Sequence, residues 1–155
     1  MKTKGLKKLT FDDALSRARK FCALQERCTW EVKTKLLEWC DDEVVRDEII
    51  NQLINERFLS EQRFAELFVR SKVSQKHWGR FKIGFELHKR FIPSHIIEEA
   101  LNKVDENQYL ENFLFLKLKK EKETIEEEDY MKEMKVKAYL TTKGYEDEYI
   151  NKFYK

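Results

Sequence analysis

The stretch Phe81-Lys82-Ile83-Gly84-Phe85-Glu86-Leu87, at residues 81–87, carries the apolar spacing that decides the fold. With Ile96 it forms a pattern that occurs three times in the chain: Trp30-Val32-Leu36-Val45, Phe81-Ile83-Leu87-Ile96 and Met134-Val136-Leu140-Tyr149. The anchor leucines at 36, 87 and 140 give a period of 51 and then 53 residues. A period of this length predicts stacked modules of about three helices each, because one module cannot bury its apolar stripe alone.

The composition favours helices in every module. The 155 residues include four Gly and one Pro, and 39% of them are charged. Hydrophobic residues make up 41% of the chain, which is ample for packed cores. We therefore predict an all-α protein of three tandem three-helix repeats that form an elongated, curved array. The expected divisions are a basic, flexible N-terminal tail at 1–9 and repeats at 10–59, 60–105 and 106–155.

Polar residues mark the expected helix ends. Thr10, Thr29 and Ser60 are expected N-caps, either Asp41 or Asp42 caps a further helix, and Gly144 suits a left-handed helix end. The third repeat has eight additional residues within 117–129, which predict a helix longer by about two turns. Apolar periodicity places Ile54, Leu67 and Phe91 among the core residues. Trp30 is also assigned to the core, because it occupies the repeat position of Phe81 and Met134.

The sequence offers no pattern typical of an active site or a metal site. Cys22, Cys28 and Cys40 lack the paired spacing of zinc ligands, so we expect reduced, buried thiols. The consecutive carboxylates at 126–129 point in different directions around a helix and cannot converge on one ion. The histidines have no companion nucleophile, and no Gly-rich phosphate loop is present. We predict a protein that is not an enzyme and needs no cofactor.

The chain has no apolar stretch of about 18 residues, the length that a membrane span requires. Residues 1–6 lack the apolar core of a signal peptide. We therefore expect a cytoplasmic protein that does not enter a membrane.

The net charge of +2 conceals a strong segregation of charge. The net charge is +5 over residues 1–20, −5 over 21–61, +6 over 62–92 and −4 over 93–155. Within 62–92, eight Lys and Arg stand against two Asp and Glu. A concentrated basic region between acidic ones is typical of a surface that binds a polyanion.

This basic region supplies the candidate nucleic-acid-binding residues. Its cations can neutralise phosphates, and Trp78, in an expected loop, can stack on a base. The alternative is a solvated helix face, in which Glu86 pairs with Lys89 and Arg90. The predicted binding residues are Arg63, Arg70, Lys72, Lys76, Trp78, Arg80, Lys82, Lys89 and Arg90.

Two segments resemble the central signature of the RecX regulatory proteins. They are Ser60-Glu61-Gln62-Arg63-Phe64-Ala65-Glu66 and, after it, Gly79-Arg80-Phe81-Lys82-Ile83-Gly84-Phe85-Glu86-Leu87. The stretches at 29–36 and 140–145 are similar to that family's first-repeat and third-repeat helices. The chain departs from the family at Phe91, where glycine is usual, and at Cys40, the corresponding position of the first repeat.

The resemblance implies a non-enzymatic modulator in DNA repair by homologous recombination. Such a protein binds the RecA recombinase, lies in the groove of its filament on single-stranded DNA, and inhibits filament growth, ATP hydrolysis and strand exchange. Duplex DNA is a further candidate partner, and a monomer is expected.

The main alternative is a helix-turn-helix-like DNA-binding protein without a recombinase partner, which would place the helix at 80–91 in a groove. That helix has little Asn or Gln for reading adenine, so its sequence specificity should be poor. A pure protein scaffold is the third possibility, and it predicts no salt-dependent affinity for DNA.

Overall fold

The architecture is known from a computed structural model of the protein, which describes residues 8–125 and 128–154. All regular secondary structure in this part of the chain is α-helical, which confirms the predicted all-α class. The helices are α1 Phe11–Leu24, α2 Thr29–Trp39, α3 Glu43–Asn55, α4 Glu61–Lys76, α5 Arg80–His88, α6 Ser94–Asn102, α7 Glu106–Glu123, α8 Asp129–Thr142 and α9 Asp147–Asn151. Most of the predicted N-terminal tail, and Glu126 and Glu127 of the acidic run, lie outside the described residues.

The chain separates into two compact units, Met1–Phe64 and Ala65–Lys155, with the division inside α4. The repeat boundaries at 10–59, 60–105 and 106–155 stay a prediction. No helix in the described part of the chain is long and apolar enough to cross a membrane.

In the first unit, α1, α2 and α3 pack on one another around a core that includes Leu15, Val32, Leu36, Ile49 and Leu53. The side chain of Thr10 caps α1 by accepting a hydrogen bond from the Asp13 amide at 3.3 Å, as predicted. Asp42 caps α3 by accepting one from the Val44 amide at 2.9 Å. These caps satisfy amides that the first turn of a helix leaves without partners.

Thr29 does not cap α2. It is the first residue of that helix, and its amide donates to the Glu61 carboxylate at 2.6 Å, so a distant side chain replaces the expected local cap. The three cysteines are buried free thiols, as predicted. Burial raises the pKa of Cys22 to about 11, which keeps this thiol protonated at neutral pH.

The four residues predicted in the core are exposed instead. Trp30 is 43% exposed, and its repeat equivalents Phe81 and Met134 are exposed by 65% and 49%. Two residues along a helix correspond to a rotation of about 200°, so Trp30 cannot share a face with Val32, which is fully buried.

The other three errors have related causes. Leu67 lies two positions from the buried residues Ala65 and Val69, and Ile54 lies beside the stripe that contains Leu53. Phe91 follows the end of α5 and is 75% exposed. Periodicity identified the correct helices but assigned these side chains to the wrong face.

The additional residues of the third repeat are divided between two helices and the connection that joins them. α7 has 18 residues where α4 has 16, and α8 has 14 where α5 has 9. The predicted two-turn extension of a single helix is therefore wrong. The insertion lengthens both arms of the α7–α8 pair.

Phe91 adopts the left-handed conformation that usually requires glycine. Its φ is +58°, and Gly144, the equivalent residue after α8, has a φ of +97°. The residue after each of them donates its amide to the anchor leucine carbonyl, Leu87 or Leu140, at 3.2 Å. Cys40, the equivalent residue of the first repeat, is extended with a φ of −135°. The second and third repeats thus end their middle helices in the same way.

We expect Phe91→Gly to raise the free energy of unfolding by about 1 kcal/mol, because it removes the Cβ clash of a left-handed residue and loses little burial. Phe91→Ala keeps the Cβ and should leave stability nearly unchanged. Urea unfolding of the three proteins measures the difference. Equal midpoints for the Gly and Ala variants would show that the strain is negligible.

A close contact between two glycine backbones joins the start of α5 to the end of α8. The Gly79 amide donates to the Lys143 carbonyl at 2.8 Å, and the Phe81 amide donates to the Gly144 carbonyl at 2.9 Å. A Cβ on Gly79 would overlap the backbone of Gly144, and a Cβ on Gly144 would overlap Lys82. Only glycine fits at either position.

The Gly79→Ala substitution should therefore lower the free energy of unfolding by about 1–3 kcal/mol, as overpacking generally does. Gly84→Ala is the matched control, since its Cβ would meet Leu101 and Ile97 at 3.6 and 3.8 Å, ordinary contact distances. Alanine inside a helix is favoured over glycine by about 1 kcal/mol, so the control should be stabilised. Unfolding in guanidinium chloride compares the two variants, and similar effects of both would contradict this account.

Candidate nucleic-acid interface

The centre of the candidate site is a tryptophan flanked by two lysines. The Lys82 ammonium lies 4.6 Å from the centre of the Trp78 ring, and the Lys72 ammonium lies 5.0 Å from it. Lys72 is also 5.2 Å from the Phe68 ring. Within the described residues, neither lysine has a carboxylate partner. The aromatic rings hold these ammonium groups in place and leave their charges uncompensated by acids.

Trp78 itself is half-buried, between the end of α4 and the start of α5. Its amide donates to the Lys72 carbonyl at 3.2 Å. The sequence predicted an exposed aromatic that stacks on bases. The structure shows a ring that is occupied by ammonium groups, and this geometry favours a role in positioning the two lysines.

Lys89 and Arg90 share one carboxylate, that of Glu86. The Lys89 ammonium lies 3.3 Å and the Arg90 guanidinium 3.2 Å from it, which are the pairings that the solvated-face interpretation required. Burial raises the pKa of Glu86, but hydrogen bonds from Arg90 and Lys89 outweigh it, and the pKa is lowered overall. Glu86 therefore stays ionised and offsets part of this charge.

Arg80 is held inside the second unit by groups from the third repeat. Its guanidinium lies 4.1 Å from the centre of the Tyr109 ring, forms an ion pair with Glu106 and lies 3.9 Å from Glu146. The Tyr109 hydroxyl accepts a hydrogen bond from the Arg80 amide at 3.0 Å and donates to Glu146 at 2.8 Å. These contacts favour a structural role for Arg80 over the predicted contact with DNA.

The remaining candidates are dispersed. Arg63 lies in the first unit, where it contacts Glu26 at 2.9 Å and donates to the Arg57 carbonyl at 2.7 Å. Arg70 and Lys76 are exposed on α4, without a carboxylate partner in the described part of the chain. Of the nine predicted residues, the structure brings together Lys72, Trp78 and Lys82, and it places the Arg90 guanidinium 5.1 Å from the centre of the Phe68 ring that Lys72 also approaches.

Two features of this region, the exposed Phe85 and the hydrogen bonds of Tyr109, were not among the predictions from the sequence. Phe85 is 63% exposed and lies one helical turn from Phe81, and its position two residues from buried Ile83 and Leu87 was a readable signal. The role of Tyr109 had no local signal, because its partners Arg80 and Glu146 are 29 and 37 residues away.

Phe81 and Phe85 line a groove of about 940 Å³ between α5, α6 and the end of α8. Its other apolar lining residues include Ile97 and Leu101, and Lys82 lies at its margin. In the described residues, no group of three or more His, Cys, Asp or Glu could hold a metal ion. The chemistry of this region is that of aromatic surfaces beside ammonium groups.

Comparison with known proteins gives a consistent result. A family model described as "RecX, second three-helix domain" matches residues 60–101. The regulatory protein RecX of Clostridium acetobutylicum is 31% identical over 136 residues, which are 85% of this chain and 63% of that protein. The crystal structure of RecX from Lactobacillus salivarius superposes with a TM-score of 0.84 and 27% identity, over 92% of both chains.

Residues 60–101 match the second three-helix domain of RecX, and the chain is similar to RecX proteins over most of its length. The matched domain covers α4, α5 and most of α6, and so includes Lys72, Trp78 and Lys82. The chain spans 63% of the length of the Clostridium acetobutylicum relative and 51% of a Bacillus cereus regulatory protein RecX that is 25% identical to it. The resemblance to the RecX regulatory proteins that was inferred from the sequence is thereby confirmed.

The Tyr109 hydrogen bonds allow a test of the contact between the second and third repeats. We expect Tyr109→Phe to lower the free energy of unfolding by about 1–3 kcal/mol, because it removes the acceptor of the Arg80 amide and one of the donors to the Glu146 carboxylate. The control is Tyr139→Phe. Tyr139 lies near the ammonium groups of Lys120 and Lys143, an interaction that phenylalanine keeps. Thermal unfolding compares both variants with the wild type, and a neutral Tyr109→Phe would contradict this role.

Proposed function

We propose that this protein is a non-enzymatic regulator of the RecA recombinase. It binds the RecA filament on single-stranded DNA and inhibits filament growth, ATP hydrolysis and strand exchange. The family and the name "Regulatory protein RecX" of its relatives support the regulatory role. The observation that carries DNA contact is the pair of lysines around Trp78, whose charges no carboxylate in the described residues offsets.

Uncompensated ammonium groups gain affinity for a nucleic acid by releasing counterions from its phosphates, regardless of sequence. A regulator that follows a filament along DNA of any sequence needs this kind of contact. Lys72 and Lys82 are the central contacts, with Lys76 and Arg70 on the same helix as Lys72. Lys89 and Arg90 contribute less, since Glu86 offsets part of their charge.

The helix-turn-helix-like alternative gains little from the structure. The exposed residues of α5 are Phe81, Phe85 and His88, and this helix contains no Asn or Gln. Arg80, the residue best suited to reading guanine, is engaged by Glu106 and Tyr109. Sequence-specific binding to duplex DNA is therefore the weaker proposal.

The test is ATP hydrolysis by RecA of the same organism on single-stranded DNA, with this protein titrated in. We expect inhibition at substoichiometric amounts, beyond what competition for DNA explains. The double variant Lys72→Glu/Lys82→Glu should need at least about tenfold more protein, because it replaces two phosphate contacts by repulsion.

The matched control is Lys119→Glu/Lys122→Glu, two exposed lysines of α7, which should inhibit as the wild type does. DNA affinity measured at several salt concentrations adds a second readout. Its logarithmic slope should flatten by about 1.4 in the Lys72/Lys82 variant, at about 0.7 per phosphate on single strands. Absence of inhibition by a wild type that binds DNA tightly would instead support a DNA-binding protein without a recombinase partner.

A further inference from the structure

The exposed face of α5 combines aromatic rings with lysines in one continuous patch. Phe81 lies four positions and Lys82 three positions before Phe85, so Phe85 neighbours both of them on the helix surface. Phe81 and Phe85 are 65% and 63% exposed. The Lys82 ammonium, 4.6 Å from the Trp78 ring, connects this patch with the lysines described above.

Exposure of two phenylalanines side by side is unfavourable in water unless the surface has a partner, since burial of their apolar area would lower the free energy. The packing of α5 does not require them. Ile83, Gly84 and Leu87 bury the opposite face of the helix, and Gly79 fixes its start. The two rings are therefore candidates for a contact with a ligand.

We propose that Phe81 and Phe85 stack on unpaired bases of single-stranded nucleic acid while Lys72 and Lys82 hold its phosphates. This inference rests on the DNA contact of the proposed function and extends it, because it makes the site selective for strands with accessible bases. Aromatic surfaces beside cations are the combination by which proteins bind single strands without sequence preference.

Charge decides between nucleic acid and a protein segment as the occupant of this face. Lys72 and Lys82, around Trp78, lack acidic partners in the described residues, which suits a polyanion. Lys89 lies 5.5 Å from the centre of the Phe85 ring, and Glu86 offsets part of its charge. Two acids of the groove are already engaged: Glu86 by Lys89 and Arg90, and Glu146 by Tyr109. Glu98, at the α6 wall, is the exposed carboxylate of the groove, so the strand should lie toward Lys82 and away from α6.

The assignment also explains why Trp78 is a poor stacking residue despite its size. Two ammonium groups lie within about 5 Å of its ring, which is half-buried. A base could reach that ring only by displacing a lysine. Phe81 and Phe85 are more accessible, at 65% and 63% exposure, although the Lys89 ammonium lies 5.5 Å from the centre of the Phe85 ring, and the tryptophan serves to position the phosphate-binding groups.

The experiment compares two fluorescent probes of equal length, an oligo(dT) strand and a strand of abasic sites with the same phosphates. Wild-type protein should bind oligo(dT) the more tightly. Phe85→Ala should weaken binding of oligo(dT) by at least about fivefold, the lower end of what one stacked base contributes. It should leave the affinity for the abasic strand and the salt dependence unchanged, because phosphate contacts are untouched.

Two further variants separate stacking from a merely apolar contact. Phe85→Trp keeps an aromatic face and should bind oligo(dT) as the wild type does, whereas Phe85→Leu keeps an apolar side chain and should behave like Phe85→Ala. Tyr130→Ala, which removes a 69% exposed ring from α8, is the control and should bind normally. Circular dichroism confirms that each variant is folded.

Three results would overturn the inference: Phe85→Ala binding oligo(dT) like the wild type, equal wild-type affinity for both probes, or full binding by Phe85→Leu. The last would indicate an apolar contact typical of a peptide segment.

RecA ATP hydrolysis, measured with the same proteins, distinguishes failure of this inference from failure of the proposed function. Inhibition by the wild type together with unimpaired oligo(dT) binding by Phe85→Ala defeats only the stacking assignment, whereas a wild type that does not inhibit defeats the proposed function.

Discussion

The contact between the Gly79 and Gly144 backbones is the constraint on which the second unit depends. Gly79 provides no side-chain cap for α5, so the first amides of that helix need partners from elsewhere. They find them in the third repeat, at the Gly144 carbonyl and the Tyr109 hydroxyl. The end of α4 is satisfied in the same way. The side-chain amide of Asn112 donates to the Val73 carbonyl, and the Tyr145 hydroxyl donates to the His77 carbonyl. Backbone groups of one repeat are thus completed by the next, as expected of modules that are marginal alone.

The contact at Gly79 determines which residues of α5 form the candidate binding face. Because the start of α5 is fixed at Gly79, the helix can present Lys82 and Phe85 on its exposed side while Ile83 and Leu87 stay buried. Arg80, the next residue, forms ion pairs with Glu106 and Glu146 where the repeats meet, so its charge is offset within the protein. Residues that stabilise the contact between the repeats and residues of the candidate binding face therefore lie next to one another on one helix.

The cations of the basic region fall into two groups, those with a carboxylate partner and those without one in the described residues. Arg63, Arg80, Lys89 and Arg90 have carboxylate partners, so part of their charge is spent inside the protein. Lys72 and Lys82 have no carboxylate partner in the described residues and lie near the rings of Phe68 and Trp78, which attract ammonium groups without cancelling their charge. The eight cations counted in residues 62–92 therefore do not contribute equally to the field that a phosphate meets. The uncompensated charge is concentrated beside the exposed aromatic side chains.

The sequence by itself determined the helical class, the threefold pattern, the family resemblance and several helix ends, because these follow from local signals. The anchor leucines at 36, 87 and 140, the caps Thr10 and Asp42, and the left-handed Gly144 all act within a few residues. Only the tertiary structure decided which cations are neutralised and which apolar side chains are exposed. Arg80 meets Tyr109 and Glu146 across 29 and 66 positions of sequence, and no local pattern encodes that meeting. Trp30, Phe81 and Met134 share a repeat position, but repetition does not indicate whether that position faces the core or the solvent.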